Sequence, residues 1–204
     1  MKYLTILLGI LSLSACGENK LVSCLNDSEH AKTQLSLYSE EGGSTYEVIK
    51  AVRTDQNYGE CFINKLDIPK EATIEQKAQI ILDFTSNTIQ YAPDKKKAKL
   101  SDIDRPGTRL PSRTVADGEG DCEDKAALSA VMLRQLGLKT YVIVRPADFK
   151  GIGHVFLGVK ANYETKLKCD GEYVIAFDPT LDNAKVGDEE YGLTEVKNAS
   201  CTKI

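Results

Sequence analysis

Two stretches of the chain repeat apolar residues at the spacing of an α-helix. After the capping-box sequence Thr73-Ile74-Glu75-Gln76, apolar side chains recur at positions 74, 78, 81 and 82 and predict a helix that runs to about residue 86. From residue 122, apolar side chains recur at positions 126, 127, 130, 133 and 136, and Gly137 follows as a stop signal. Both patterns are typical of an amphipathic helix with one face toward a core.

Three segments in the C-terminal half are rich in β-branched and aromatic residues. Positions 139–144, 154–159 and 173–178 therefore predict strands, and their hairpin order predicts an antiparallel sheet. Residues 94–112 contain charges and prolines and predict a surface loop. The pattern of residues 38–53 fits either two strands or a strand and a helix. The predicted fold class is α+β, with a helix packed on an antiparallel sheet.

Length and composition restrict the class of protein. With 204 residues, the chain has room for one domain with a sizeable core. A net charge of −4 and the lack of a basic stripe interleaved with aromatic residues argue against a nucleic-acid binder. Two histidines and no Cys-x-x-Cys pair do not offer a tetrahedral zinc site. We therefore expect a globular protein without a cofactor.

The N-terminus has the features of a bacterial export signal. Lys2 precedes an apolar segment, residues 4–11, that is too short to span a bilayer. The following sequence Leu13-Ser14-Ala15-Cys16 resembles the lipobox of bacterial lipoproteins. That resemblance implies removal of residues 1–15, lipidation of Cys16, and anchoring in the envelope, in the outer membrane facing the periplasm. An ordinary secretory signal with an incidental cysteine is the alternative.

Cys122 is the candidate nucleophile. It follows the turn Gly118-Glu119-Gly120 and begins the second predicted helix. Unpaired backbone N–H groups and the helix dipole favour an anion there, and the thiolate is the nucleophilic form of cysteine. The alternative is a structural or disulfide cysteine beside a glycine turn.

His154 and Asp178 are the candidate partners of Cys122. His154 starts one predicted strand and Asp178 ends the next, so antiparallel pairing would make them neighbours. Packing the helix on that sheet would bring Cys122 to the same place. The result would be a nucleophile, a base and an orienting carboxylate. Asp182 is the alternative acid if the strand ends later.

The remaining cysteines can form disulfides, because the space outside the inner membrane is oxidising. With Cys16 assigned to lipid and Cys122 to chemistry, four of the six cysteines remain, and three connectivities are possible. The four are Cys24, Cys61, Cys169 and Cys201. We favour Cys24–Cys61 and Cys169–Cys201, since each closes a local loop, although the sequence does not decide between the pairings.

Four blocks of sequence resemble the transglutaminase-like domain. They are Gly-Asp-Cys-Glu-Asp-Lys-Ala at 120–126, Leu-Arg-Gln-Leu-Gly at 133–137, His-Val at 154–155, and Phe-Asp-Pro-Thr at 177–180. The resemblance covers about residues 70–185. It implies a papain-like α+β core and a catalytic triad of Cys122, His154 and Asp178.

The predicted organisation of the chain follows from the signal sequence and this resemblance. A lipoprotein signal peptide at 1–15 precedes a lipidated tether at 16–30. An N-terminal extension at 31–69 then leads into a transglutaminase-like domain at 70–204.

The Asp-Cys-Glu-Asp run is also similar to bacterial transglutaminase-like cysteine proteinases, periplasmic enzymes that cut adhesins and can bind calcium near the cysteine. Asp121, Glu123 and Asp124 would oppose thiolate formation by charge repulsion, and a bound Ca²⁺ would remove that repulsion. However, these carboxylates fall short of the six to eight oxygens that calcium takes. We expect no metal, with calcium at Asp121 and Glu123 as the alternative.

The function implied by the resemblance is acyl transfer from an amide or peptide bond through a thioester on Cys122. Water as the acceptor gives a protease or amidase, and a lysine amine gives a cross-link. We expect hydrolysis, because water is always present, and a protein or peptide substrate. The alternative from a different class is a catalytically silent module of the same fold that binds a protein or cell-wall partner.

Overall fold

The computed structural model describes residues 20–25, 43–93, 107–146, 153–188 and 199–204. The predicted signal peptide and the lipidation site Cys16 lie outside these residues, as does most of the predicted tether.

The helices agree with the two strongest sequence patterns, and the structure adds several shorter helical elements. A 3₁₀ helix, Lys20–Leu25, precedes α1 (Gly43–Thr54), a 3₁₀ turn (Gln56–Tyr58), α2 (Gly59–Asn64), α3 (Ile74–Thr88), α4 (Pro111–Asp117) and α5 (Cys122–Gln135). Helix α3 begins with the predicted capping box, in which Thr73 and Gln76 bond each other's backbone N–H. Helix α5 ends before Gly137, which has a φ of 74°.

Two sequence predictions about loops and strands are corrected. Residues 43–54 form one helix, so the alternative of two strands in this stretch is wrong. The predicted loop at 94–112 extends too far, because α4 begins at Pro111. Proline is accepted in the first turn of a helix, where its missing N–H would have no partner in any case.

One five-stranded antiparallel sheet confirms the predicted α+β class. Its strands are β3 (Thr140–Arg145), β4 (His154–Lys160), β5 (Leu167–Cys169), β6 (Glu172–Phe177) and β7 (Ser200–Lys203), in the order β5-β6-β4-β3-β7. Two further short strands, β1 (Gln90–Tyr91) and β2 (Glu119–Gly120), pair in parallel just before α5. Strands β5 and β7 were not predicted.

Helix α5 lies at the centre of the core. Every residue from Asp124 to Leu133 is buried, because the helix packs against α1, α2, α3 and α4 and against the strands β3 and β4. The helix is therefore buried all round rather than on the single face predicted from its sequence. Each fully buried leucine, isoleucine or phenylalanine contributes about 1.5–3 kcal/mol.

The helices of the predicted N-terminal extension contribute to the same core. Val48 and Val52 of α1 and Phe62 of α2 belong to one apolar cluster with Leu128 of α5. The cluster reaches the sheet through Leu157 of β4. Residues 43–64 thus pack against α5, and α1 also contacts β3.

The sheet is strongly curled, since a disulfide joins its two edge strands. The edges of a flat five-stranded sheet would lie about 19 Å apart, at about 4.8 Å per strand. Cys169 of β5 and Cys201 of β7 instead have Cα atoms 5.7 Å apart. A second apolar cluster lies on the sheet side away from α5, and its buried members are Tyr141, Ile143, Phe156, Leu167, Cys169, Val174 and Ala176.

Gly158 permits this curl in the middle strand. A Cβ at this position would lie 3.1 Å from Cδ1 of Ile143 and 3.1 Å from Cγ2 of Val174. Both neighbours belong to the second cluster, so they close over the position where a side chain would otherwise project.

The structure places the four remaining cysteines in the pairs that the sequence favours. Cys24 and Cys61 have Cα atoms 5.9 Å apart and tie the N-terminal 3₁₀ helix to α2. Cys169 and Cys201 form the second pair.

Among the residues that the structure describes, no helix has the length and apolar character needed to cross a bilayer.

Replacing Cys169 and Cys201 by serine should lower the free energy of unfolding by about 2–4 kcal/mol, because the cross-link restricts the unfolded chain. It should also speed amide hydrogen exchange in β5 and β7, because the sheet can then open. Urea unfolding and hydrogen exchange measure the two effects. The matched control, Cys24→Ser with Cys61→Ser, should speed exchange in α2 instead. Unchanged exchange in β5 and β7 would contradict the curled geometry.

Candidate active site

Cys122 is the first residue of α5, and two aspartates hold it there. Asp121 is the N-cap, and its Oδ1 accepts the backbone N–H groups of Glu123 at 3.1 Å and Asp124 at 3.3 Å. In return, Oδ2 of Asp124 accepts the N–H of Asp121 at 3.2 Å. This reciprocal pair is a capping box built from two carboxylates. It fixes the backbone on both sides of the cysteine.

Only glycine fits at position 120, directly before this cap. A Cβ on Gly120 would lie 2.6 Å from Cβ of Asp124, which is closer than real side chains approach. Gly120 also pairs with Tyr91 in the β1–β2 ladder, and its carbonyl accepts the N–H of Ala92 at 3.0 Å. The chain therefore enters α5 along a fixed path.

The surroundings of Cys122 favour the neutral thiol at rest. Burial raises the pKa of the thiol to about 12, and the negative charges of Asp121 and Glu123 act in the same direction. The backbone N–H groups of Val155 and Glu123 oppose the shift. The expectation that the helix start favours a thiolate is thus outweighed by burial and by neighbouring carboxylates. Cys122 is the one cysteine outside a disulfide in the described part of the chain.

His154 and Asp178 lie side by side, as the sequence predicts. His154 is the first residue of β4 and Asp178 follows the last residue of β6, its antiparallel neighbour. Nε2 of His154 and Oδ2 of Asp178 are 2.6 Å apart, and both side chains are buried. Nδ1 is then the imidazole nitrogen that can take a proton from a thiol. Asp182, the alternative acid, is exposed.

A tight turn fixes the carboxylate of Asp178. Its Oδ1 accepts the backbone N–H of Thr180 at 3.0 Å and the hydroxyl of Thr180 at 2.6 Å. An Asp side chain bonded to the N–H two residues ahead is an Asx-turn. Both oxygens of Asp178 are therefore engaged, one toward the turn and one toward His154.

The packing of α5 on β4 brings Cys122 to this pair. The backbone N–H of Val155, the residue after His154, donates a hydrogen bond to the sulfur of Cys122. Cys122 therefore lies beside the first residues of β4, the strand that begins with His154. The arrangement can supply a nucleophile, a base and a carboxylate that orients the base.

The burial of Asp124 and Lys125 and the position of Arg145 were not predicted. Asp124 is buried, and its Oδ1 accepts the N–H of Arg109 at 2.6 Å, while Nε of Arg109 lies 3.7 Å from Oδ2. Lys125 is buried as well. Arg145 lies directly opposite His154 in the β3–β4 ladder. The strand register could have indicated Arg145, but nothing in the helical pattern indicates burial of Asp124 and Lys125.

The described residues show no cluster of three or more His, Cys, Asp or Glu side chains able to hold a metal ion. Asp121, half of the calcium pair considered from the sequence, uses Oδ1 to cap α5.

Comparison with known proteins gives a family match and distant structural similarity. The sequence profile of the transglutaminase-like superfamily matches residues 64–174, more than half of the chain. The match includes Cys122 and His154 and ends before Asp178. No curated protein is significantly similar to the chain.

The solved structures that are similar at low identity include two from bacteria. One is a proposed protease from Parabacteroides distasonis, 16% identical with a TM-score of 0.44, and the other is a proposed cysteine protease from Cytophaga hutchinsonii, 14% identical with a TM-score of 0.45. The alignments cover 70% and 85% of this chain. They cover 30% and 58% of those chains, so this chain spans less than two thirds of either.

Because Asp124 in the cap of α5 is buried, we expect the free energy of unfolding to depend on pH. Burial and the charge of Asp121 raise the pKa of Asp124 to about 8, although Arg109 opposes the shift. Asp124 therefore holds its proton more tightly in the folded protein than in the unfolded chain, where its pKa is about 4. Its contribution to stability is complete below about pH 4 and is lost as the pH rises through about 8. Asn cannot titrate and retains an oxygen that accepts the N–H of Arg109.

The free energy of unfolding of the wild type, relative to Asp124→Asn, should therefore fall between about pH 5 and about pH 8. Urea unfolding at several pH values measures this difference. The exposed Asp67→Asn serves as the control for loss of a carboxylate elsewhere on the protein. A difference that stays constant or grows with pH would show that Asp124 is ionised throughout this range.

Proposed function

Because the chain belongs to the transglutaminase-like superfamily, we propose that it is a thiol enzyme that cleaves an amide or peptide bond through Cys122. The observation that carries the proposal is the 2.6 Å contact between His154 and Asp178 beside a cysteine that is free of disulfides. That cysteine begins a helix packed on the strand that carries the histidine. We assign Cys122 as the nucleophile, His154 as the base and Asp178 as the orienting acid.

The first step forms a thioester. Nδ1 of His154 takes the thiol proton while the sulfur of Cys122 attacks the substrate carbonyl. Proton transfer accompanies the attack, since the thiol pKa of about 12 disfavours a preformed thiolate. Nε2–H of His154 donates to Asp178, whose negative charge supports the imidazolium. The amine then leaves with the proton that His154 has held.

The second step returns the enzyme to its resting state. A water molecule loses a proton to His154 and attacks the thioester carbonyl, and the sulfur of Cys122 leaves and regains that proton. The carboxylic acid product is released. In both tetrahedral intermediates the backbone N–H of Cys122, in the first turn of α5, is available to stabilise the oxyanion. We propose hydrolysis rather than transfer to an amine, because water needs no dedicated acceptor site.

We place the enzyme in the bacterial envelope. The lipobox-like sequence ending at Cys16 supports a lipid anchor, and multiple acyl chains would hold the protein stably on a membrane. The two disulfide pairs support an oxidising location such as the periplasmic face of the outer membrane. The substrate would be a protein or peptide within reach of that surface.

Alkylation of Cys122 tests the catalytic assignment without knowledge of the substrate. At neutral pH, His154→Ala should slow the reaction with iodoacetamide by about 100-fold or more, because the thiol loses its base. Asp178→Asn should slow it less, because the imidazole remains. The measurement is the rate of carbamidomethylation at Cys122, followed by mass spectrometry with the disulfides intact.

Cys122→Ala is the control for this experiment and should take up no label at this site. If His154→Ala reacts as fast as the wild type, Cys122 is not activated by the histidine. The alternative of a catalytically silent module that binds a protein or cell-wall partner would then be favoured.

The lipid anchor is tested separately. Cys16→Ala should abolish incorporation of labelled palmitate and move the protein from the membrane fraction to the soluble fraction, because the acylated residue is lost. Ser12→Ala, which lies outside the lipobox-like sequence, is the matched control and should stay in the membrane fraction. Persistent labelling of Cys16→Ala would contradict the assignment of the lipidated residue.

A further inference from the structure

Phe156 contacts the candidate base and has no part in the mechanism above. Its ring lies nearly parallel to the imidazole of His154, with 5.9 Å between the two ring centroids and 16° between the two planes. Flat rings at this separation attract each other in an offset-stacked arrangement. Both side chains are buried, with 9% of Phe156 and 7% of His154 exposed. The imidazole therefore has an aromatic neighbour along one of its faces.

The strand itself brings these two rings together. Side chains two residues apart on a β-strand project from the same face, so the ring of Phe156 lies beside that of His154 on β4. Val155 and Leu157 alternate with them and belong to the apolar cluster built around α5. Phe156 belongs to the second apolar cluster, on the other side of the sheet. The base therefore projects from the face of the sheet that carries the second cluster.

The interior of the curled sheet holds Phe156 in place. Ile143 lies directly opposite Phe156 in the β3–β4 ladder, and both residues belong to the second cluster. Cys169, in the disulfide that joins the two edge strands, belongs to the same cluster. A close-packed apolar interior leaves a phenyl ring little freedom to tilt. The ring of Phe156 can therefore act as a fixed support for its neighbour.

A hydrogen bond and a stacked ring restrain different motions of the imidazole. The 2.6 Å contact between Nε2 of His154 and Oδ2 of Asp178 fixes one atom of the ring and selects the nitrogen that faces the acid. This contact alone does not set the plane of the ring, because an imidazole can tilt about that atom and keep the bond. The nearly parallel ring of Phe156 opposes the tilt. The direction of Nδ1 thus depends on the stacked ring as well as on the acid.

We propose that Phe156 is a positioning residue for the base, whose ring sets the plane of the His154 imidazole and so aims Nδ1 at the sulfur of Cys122. The inference rests on the proposed function, because it concerns the base of that reaction. Proton transfer requires the base within hydrogen-bond reach of the thiol, and a misplacement of about 1 Å can cost about 100-fold in rate. Phe156 acts only through His154.

The ring and the volume of Phe156 can be separated by substitution. Phe156→Leu and Phe156→Met keep an apolar side chain in the second cluster but remove the ring. Phe156→Tyr keeps the ring. Phe62→Leu is the matched control, because Phe62 is also buried and also stacks on an aromatic neighbour, Tyr58, but lies in α2.

The first measurement is the mobility of the imidazole. The purified, detergent-solubilised protein carries isotope-labelled histidine, and a His30→Gln background leaves His154 as the only labelled residue. NMR relaxation then gives the order parameter of the Cε1–H bond of His154. We expect a rigid value of about 0.85 with Phe156 or Phe156→Tyr, and a fall toward about 0.6 in Phe156→Leu and Phe156→Met. Phe62→Leu should keep the rigid value.

The second measurement is the rate at which iodoacetamide alkylates Cys122 at neutral pH. A base whose plane is not held points at the sulfur for only part of the time, so Phe156→Leu and Phe156→Met should react about ten-fold more slowly than the wild type. Phe156→Tyr and Phe62→Leu should react at the wild-type rate. If Phe156→Leu does not fold, Phe156→Met gives the same test.

The outcomes separate this proposal from the assignment of the triad. If the variants without the ring keep the rigid order parameter, or lose it without slower alkylation, the proposal is wrong. It is also wrong if Phe156→Tyr loses the rigid value, since the ring would then not be the feature that matters. His154→Ala is alkylated in parallel. If that variant reacts as fast as the wild type, the triad itself is wrong, and the role of Phe156 in positioning the base is lost with it.

Discussion

The burial of helix α5 is the constraint on which the rest of the structure depends. Its first residue carries the candidate nucleophile, and its next turns are enclosed by four helices and by the strands β3 and β4. A helix held in this way cannot shift its start without disturbing the whole core. Asp121 and Asp124 complete the constraint, because they fix the backbone of that first turn by reciprocal hydrogen bonds. The position of Cys122 relative to β4 is thus a property of the core.

The same burial determines the protonation state of the Cys122 thiol. A favourable charge at a helix start contributes about 0.3–1 kcal/mol. The rise of the thiol pKa from 9.0 to about 12 corresponds to about 4 kcal/mol against the thiolate, at about 1.4 kcal/mol per unit. Burial and the flanking carboxylates therefore prevail over the helix dipole. A cysteine in this position stays protonated until a base acts on it, so the orientation of His154 by Asp178 matters more than any preformed charge on sulfur.

Most of the site could be predicted from the sequence, because the elements that hold it are long enough to show a period. Other features could not, for physical reasons. Helix α4 begins with Pro111, which resembles a breaker unless the start of the helix is already known. Strands β5 and β7, of three and four residues, are too short to show alternation. Asp124 and Lys125 are polar residues that a helical pattern assigns to solvent, and only the packing of other helices over α5 buries them.

The curled sheet has a consequence for how the protein meets other chains. The edge strand of an open sheet presents unpaired backbone groups to which a strand from another molecule can add. Here the two edges, β5 and β7, are drawn together by Cys169 and Cys201, and their apolar side chains face a shared interior. Loss of that bond would release two short edges at once and expose the cluster between them. The disulfide therefore protects the protein against strand addition and aggregation as well as stabilising its fold.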